Sequence, residues 1–173
     1  MIPISAHEGI NNYVYIGTLS KLIAPAIRIG YVVSSAEFIN KIGKLRKIID
    51  MQGDTIMEQS ILDLIISGDI RRHQKRMLSH YEQKRDFFDS LLQRYLKDKV
   101  IYKKPDGGLA FWLKPTEEID LFQLKQKVNT KLISFYTPER FSYENNITGI
   151  RLGYASLSKA HLEKGIKVLS EYL

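Results

Sequence analysis

Residues 15–31 read YIGTLSKLIAPAIRIGY, from Tyr15 to Tyr31. One lysine, Lys21, stands beside the hydroxylated residues Thr18 and Ser20, and one arginine, Arg28, follows seven positions later. Two short apolar runs, residues 13–16 and 29–33, bracket the stretch and have strand character. A lysine amine in such a frame can form a Schiff base with a carbonyl compound when local electrostatics keep it nucleophilic. Thr18, Ser20 and Arg28 are donors suited to holding an anionic group beside it. On residue types alone, a lysine in a Ser/Thr loop is usually a solvated surface lysine, and an arginine seven residues away an ordinary surface charge.

Moving outward, Ser34 and Glu37 are three apart and read as a capping box, opening a helix with Ile39, Ile42, Leu45 and Ile49 on one face. A break at Gln52-Gly53-Asp54 precedes a second box, Thr55 to Glu58, and an apolar helix stopping near Gly68. Residues 70–97 are helical and highly charged, with Tyr81, Phe88, Leu92 and Tyr95 on one stripe. The texture then changes. Residues 100–103 and 109–113 read as strands joined at Pro105-Asp106-Gly107-Gly108, a hairpin. Asp120 caps a helix to about Thr130, residues 132–136 read as a strand, and residues 137–140 and 143–146 as loop. Residues 150–155 form the last strand, and Ser158 caps a terminal helix carrying Leu162, Ile166, Leu169 and Leu173.

That last strand holds a second candidate, Arg151, within Gly149-Ile150-Arg151-Leu152-Gly153-Tyr154. Burying an unpaired guanidinium is costly, so it either points to the surface or waits for an anion. Its bidentate fork suits a carboxylate.

Composition narrows the field. No apolar run approaches the 18 residues of a membrane span, and residues 1–12 have no basic and apolar leader pattern. Cysteine is absent, which removes disulfides and thiolate metal sites and fits a cytoplasmic location. No metal site is expected. The net charge of +7 raises nucleic-acid binding, but the basic residues are interleaved with acidic ones along helical segments. The densest basic cluster, residues 71–76, has no accompanying recognition motif, so no direct contact with nucleic acid is expected of this chain.

The pattern Thr18-Leu-Ser-Lys21-(x)3-Pro25-(x)2-Arg28-Ile-Gly30-Tyr31 resembles the lysine motif of fold-type I pyridoxal-phosphate (PLP) enzymes of the aminotransferase class I/II group. The one departure is Ala26, where relatives commonly have glycine; it costs backbone freedom and removes no chemical group. Residues 67–77, SGDIRRHQKRM, and the following Tyr81-(x)3-Arg85-Asp86 resemble a segment of MocR/GntR-type regulators and of 2-aminoadipate-type aminotransferases. Gly107-Gly108-Leu109-Ala110-Phe111-Trp112 resembles the opening of their small domain, and residues 149–155 their C-terminal arginine strand. The likeness runs from about Tyr13 to Leu173.

The resemblance implies an α/β fold: the C-terminal part of the large PLP-binding domain plus a complete small α+β domain. The implied layout is a large-domain remnant at 1–69, a long interdomain helix at 70–97 and the small domain at 98–173. It also implies PLP as cofactor, with Lys21 as the Schiff-base lysine and Thr18 and Arg28 on the cofactor phosphate. Ser20 is the weaker phosphate ligand, and Arg151 the anchor for the substrate α-carboxylate. The implied partners are an α-amino acid and a 2-oxo acid.

In that family the lysine lies past the midpoint of the catalytic unit, so its position at residue 21 implies that roughly the first half is missing. Strands 13–16 and 29–33 would then lack neighbours in a parallel sheet and expose apolar faces. Homodimerisation, or association with the missing half, is expected. So is weak or no turnover by the chain alone. The alternative is the effector and oligomerisation part of a MocR-type regulator lacking its DNA-binding part. A third reading is a truncated product with a vestigial site.

Overall fold

The computed structural model describes residues 13–51, 53–144 and 147–173. Gln52 in the expected helix break, Asn145-Asn146 in the expected loop, and the segment 1–12 lie outside the described residues. The elements in chain order are β1 (Tyr15–Thr18), β2 (Gly30–Val33), α1 (Ala36–Ile49), α2 (Thr55–Ile66) and α3 (Asp69–Tyr95). They continue with β3 (Val100–Ile101), β4 (Ala110–Pro115), α4 (Leu121–Asn129), β5 (Ile150–Gly153) and α5 (Lys159–Ser170). The chain divides into two compact units, Met1–Arg76 and Met77–Leu173, with the boundary inside α3.

In the first unit β1 and β2 are antiparallel, with Tyr15 opposite Val33 and Thr18 opposite Gly30. This corrects the parallel arrangement expected of these strands. A parallel pair needs a crossover, usually helical, whereas the intervening segment here holds only a turn and one short 3-10 helix, Pro25–Ile27. Both caps shift by one residue. Ser35, not Ser34, accepts from Phe38 N–H, because the Ser34 hydroxyl donates to Tyr13 O at 2.7 Å. Asp54, not Thr55, caps α2 by accepting from Met57 N–H at 2.9 Å. Gly68 separates α2 from α3 at φ +75°, a left-handed value that glycine adopts without strain. The unit is poor in core: α1 buries no residue and α2 only Ile61. Ile16, Ile48, Ile49, Ile56 and Ile66 are each at least three-quarters exposed.

The second unit holds one contiguous apolar core, running in sequence from Phe88 to Leu169. The stripe read from the α3 sequence is real, with Phe88 and Leu92 buried and Tyr95 packed against the core. Strands β3, β4 and β5 form an antiparallel sheet in that order. Asp120 and Ser158 cap α4 and α5 as expected. Residues 132–136 do not form the expected strand. Leu132 takes φ +61°, which breaks the extended run, and only Tyr136 bridges to Arg151.

Candidate functional site

The lysine turn begins the loop that joins β1 to β2, directly after the Thr18–Gly30 pair that ends the ladder. Leu19 N–H donates to Ile29 O at 2.9 Å and closes the base of the loop. Leu22 N–H and Ile23 N–H both return to Leu19 O, winding one tight turn that carries Lys21. The Thr18 hydroxyl organises this turn: it accepts from Ser20 N–H at 3.1 Å and donates to Ile29 O at a long 3.4 Å. A donor bond of that length is weak, so the O–H is available to a stronger acceptor. Pro25 starts the 3-10 helix, and Arg28 leaves it at φ 52° and ψ 28°. Left-handed backbone is unfavourable for a β-carbon-bearing residue and recurs at functional sites. From the other side His73 Nε2 lies 3.1 Å from Leu22 O, tying α3 to the residue after the lysine.

Lys21, Thr18 and Arg28 are exposed and Ser20 is buried. Among the described residues neither Lys21 nor Arg28 has an ion pair with any of the paired carboxylates. Thr18, Ser20 and Lys21 therefore share one turn. Arg28 joins it through the Ile29 bonds, and the residue also lines a depression of about 870 Å³ with Ile39, Arg46 and Met57. Lys21 is not on the wall of that depression.

Arg151 belongs to the second unit. Period-two alternation puts Ile150 and Leu152 into the core and leaves Arg151 half-buried on the other face. β4 alternates in the same way, burying Phe111 and Leu113 and leaving Trp112 half-buried. Trp112 is the register partner of Arg151, and Tyr136 bridges it from the other side, donated to by Arg151 N–H at 2.9 Å. Trp112, Arg151 and Tyr136 thus form one row across the open face.

Phe141 packs edge-on against both rings of that row, at 5.7 Å from Trp112 and 6.3 Å from Tyr136. The Arg140 guanidinium lies over the Tyr136 ring at 4.9 Å. Hydrogen bonding from Thr137, then from its own backbone, holds the neighbouring Glu139 carboxyl below its usual range. A side chain on Gly149 would collide with the Trp112 indole, and its φ of +136° is one only glycine adopts freely. Sequence reasoning singled out Arg151 alone here. Alternation along β4 could have marked Trp112, whereas Tyr136, Arg140 and Phe141 join the row only through tertiary contact.

The family model described as aminotransferase class I and II matches residues 3–169. The chain belongs to this family. Among curated relatives, aromatic-amino-acid aminotransferase 1 of Thermococcus litoralis is 26% identical over 98% of this chain and 41% of its own length. The HTH-type transcriptional regulator NorG of Staphylococcus aureus is 25% identical over 98% of this chain and 38% of the regulator. The Bacillus subtilis regulator YdfD, itself uncharacterised, is 28% identical over 95% and 34%.

Of solved structures, the kynurenine aminotransferase of Pyrococcus horikoshii superposes with a TM-score of 0.87 at 23% identity. It is matched over 95% of this chain and 41% of that one. The α-aminoadipate aminotransferase LysN of Thermus thermophilus gives 0.79 at 21% identity, over 92% and 41%. The fold is that of the family's α/β enzymes, and the chain spans about two fifths of the length of the relatives it matches. Among the described residues no helix is long and apolar enough to cross a membrane.

Proposed function

We propose that this chain supplies the lysine-bearing and carboxylate-binding parts of a PLP-dependent aminotransferase acting on α-amino acids and 2-oxo acids in the cytoplasm. The observation that carries the reading is the loop from Thr18 to Arg28, which presents an amine, a hydroxyl and a guanidinium with no carboxylate paired to either cation among the described residues. That donor set fits a phosphorylated aldehyde. Arg28 and the Thr18 hydroxyl would hold the phosphate, with the hydroxyl turning from Ile29 O to the stronger anionic acceptor, and Ser20 in support. Bound PLP supplies an electron sink that lets the amino acid's Cα release a proton. Lys21 Nζ would hold the cofactor and would carry the proton leaving Cα, a role that needs an amine free of ion pairs. Arg151 holds the α-carboxylate with its planar fork, backed by the Trp112–Tyr136 row. The chain by itself turns over weakly or not at all.

The test is PLP followed by borohydride reduction and peptide mass mapping. A single dominant adduct on Lys21 is expected, lost in Lys21→Ala and reduced in Arg28→Gln and Thr18→Val. Adducts spread evenly over surface lysines would sink the proposal.

The matches to NorG and YdfD favour a second reading, in which the same fold is the effector part of a regulator. A winged-helix segment encoded upstream in the same reading frame decides for it.

A further inference from the structure

Resting on the proposed role of Lys21, we propose that His73 is a positioning residue for that lysine: its Nε2–H holds Leu22 O and thereby fixes the turn that carries the amine. The two atoms are 3.1 Å apart, across 51 positions of sequence. A carbonyl oxygen only accepts, so the ring nitrogen facing it carries the hydrogen. His73 belongs to the basic run Asp69-Ile70-Arg71-Arg72-His73-Gln74-Lys75-Arg76, which the cofactor and carboxylate contacts leave without a role. Within that run Ile70 and His73 are half-buried, three positions apart and therefore on one face of α3, whereas the other residues are exposed. A polar ring on an inward face needs a partner, and among the described residues Leu22 O is the one it has.

The turn needs such a tie because its own bonds gather at one end. Leu19 N–H and the Thr18 hydroxyl both reach Ile29 O, and Leu22 N–H and Ile23 N–H both return to Leu19 O. Ser20 N–H is held by Thr18 as well. Lys21 and the Leu22 carbonyl lie beyond these anchors. Among the described residues, the His73 bond is the one hydrogen bond that reaches residues 19–29 from outside the hairpin and its loop. An imidazole is short and rigid, so it holds an acceptor at lower entropic cost than the long lysine and arginine side chains beside it. The consequence is geometric. A nucleophile reacts from about 3–3.5 Å with its orbital aligned, and holding Leu22 limits the swing of the residue before it.

Limited trypsin digestion of the full, cofactor-free chain reads the turn directly, because Lys21–Leu22 is itself a cleavage site. His73→Phe keeps a ring and loses the donor. It should raise cleavage after Lys21 about tenfold, the size expected of one lost hydrogen bond, and leave cleavage after Lys131 in the second unit unchanged. His73→Gln, whose amide N–H offers a donor at similar reach, should restore the protection, which a purely packing role would not. In the PLP and borohydride experiment, the Lys21 share of the adduct should fall several-fold in His73→Phe and recover in His73→Gln. Wild-type protection in His73→Phe, or equal loss of protection in both variants, would overturn the role of His73 and leave the Lys21 assignment standing. An adduct share that stays constant while protection is lost would also overturn it. The expected digestion pattern with no dominant Lys21 adduct in the unmodified chain would overturn the cofactor reading alone and uphold the tie between His73 and the turn.

Discussion

At the scale of single residues, Arg28 and Tyr102 show how local environment sets chemical behaviour. Arg28 holds φ 52° directly before Ile29, whose carbonyl receives both the Thr18 hydroxyl and Leu19 N–H. Replacing it with glycine relieves backbone strain of about 1–3 kcal/mol while removing the guanidinium. Arg28→Gly is therefore expected to melt no earlier than wild type yet capture less PLP in the borohydride experiment. Melting and adduct yield moving down together would show that Arg28 is only structural. Tyr102 is pushed up to about 12, first by burial and then by its hydrogen bond to Asp89. Since the folded value lies above the unfolded one near 10, the stabilisation is complete below pH 10 and is lost as pH rises toward 12. Urea midpoints measured from pH 8 to 11.5 should fall more steeply in wild type than in Tyr102→Phe. Parallel curves would refute this.

At the scale of elements, legibility followed how local the determining interaction is. Asp120 and Ser158 were read correctly as caps because each bonds an N–H two or three residues on. Ser34 was misread because its hydroxyl is drawn away by Tyr13 O, 21 positions earlier, and no local pattern records that bond. The expected strand at residues 132–136 failed for a related reason. Its apolar and β-branched residues suit a strand, yet the backbone turns left-handed at Leu132 and the pairing reduces to the Tyr136 bridge. The lysine turn was legible through its motif, whereas the aromatic row around Arg151 was not, because it joins residues from 112 to 151. Asp120→Ala should cost about 1 kcal/mol through loss of its bonds to Phe122 and Gln123 N–H. An unchanged denaturant midpoint would show that α4 is held by packing alone.

At the scale of the whole molecule, stability is unevenly distributed. The contiguous core lies in the second unit, and Phe88 is 2% exposed with its ring packed on Phe111 and Tyr154. Phe88→Ala should cost about 3–5 kcal/mol, enough to unfold that unit or nearly so. The first unit instead leaves Ile16 76%, Ile49 77% and Ile56 80% exposed, apolar surface that monomeric proteins rarely show in such density. Size-exclusion chromatography with light scattering should therefore give a mass above that of one chain, reduced by Ile16→Lys. A monodisperse monomer would count against the association proposed here.

Helix α3 draws this unevenness along a single element. Its buried residues, Phe88, Leu91 and Leu92, all lie toward its C-terminal end, while its first turns are tied to the lysine turn by the His73–Leu22 contact. Amide hydrogen exchange should consequently slow progressively from Asp69 to Tyr95. Fraying at the fast end would loosen the turn that carries Lys21. The reactivity of the Lys21 amine would then follow an opening equilibrium more than 50 residues away in sequence, since that contact spans 51 positions.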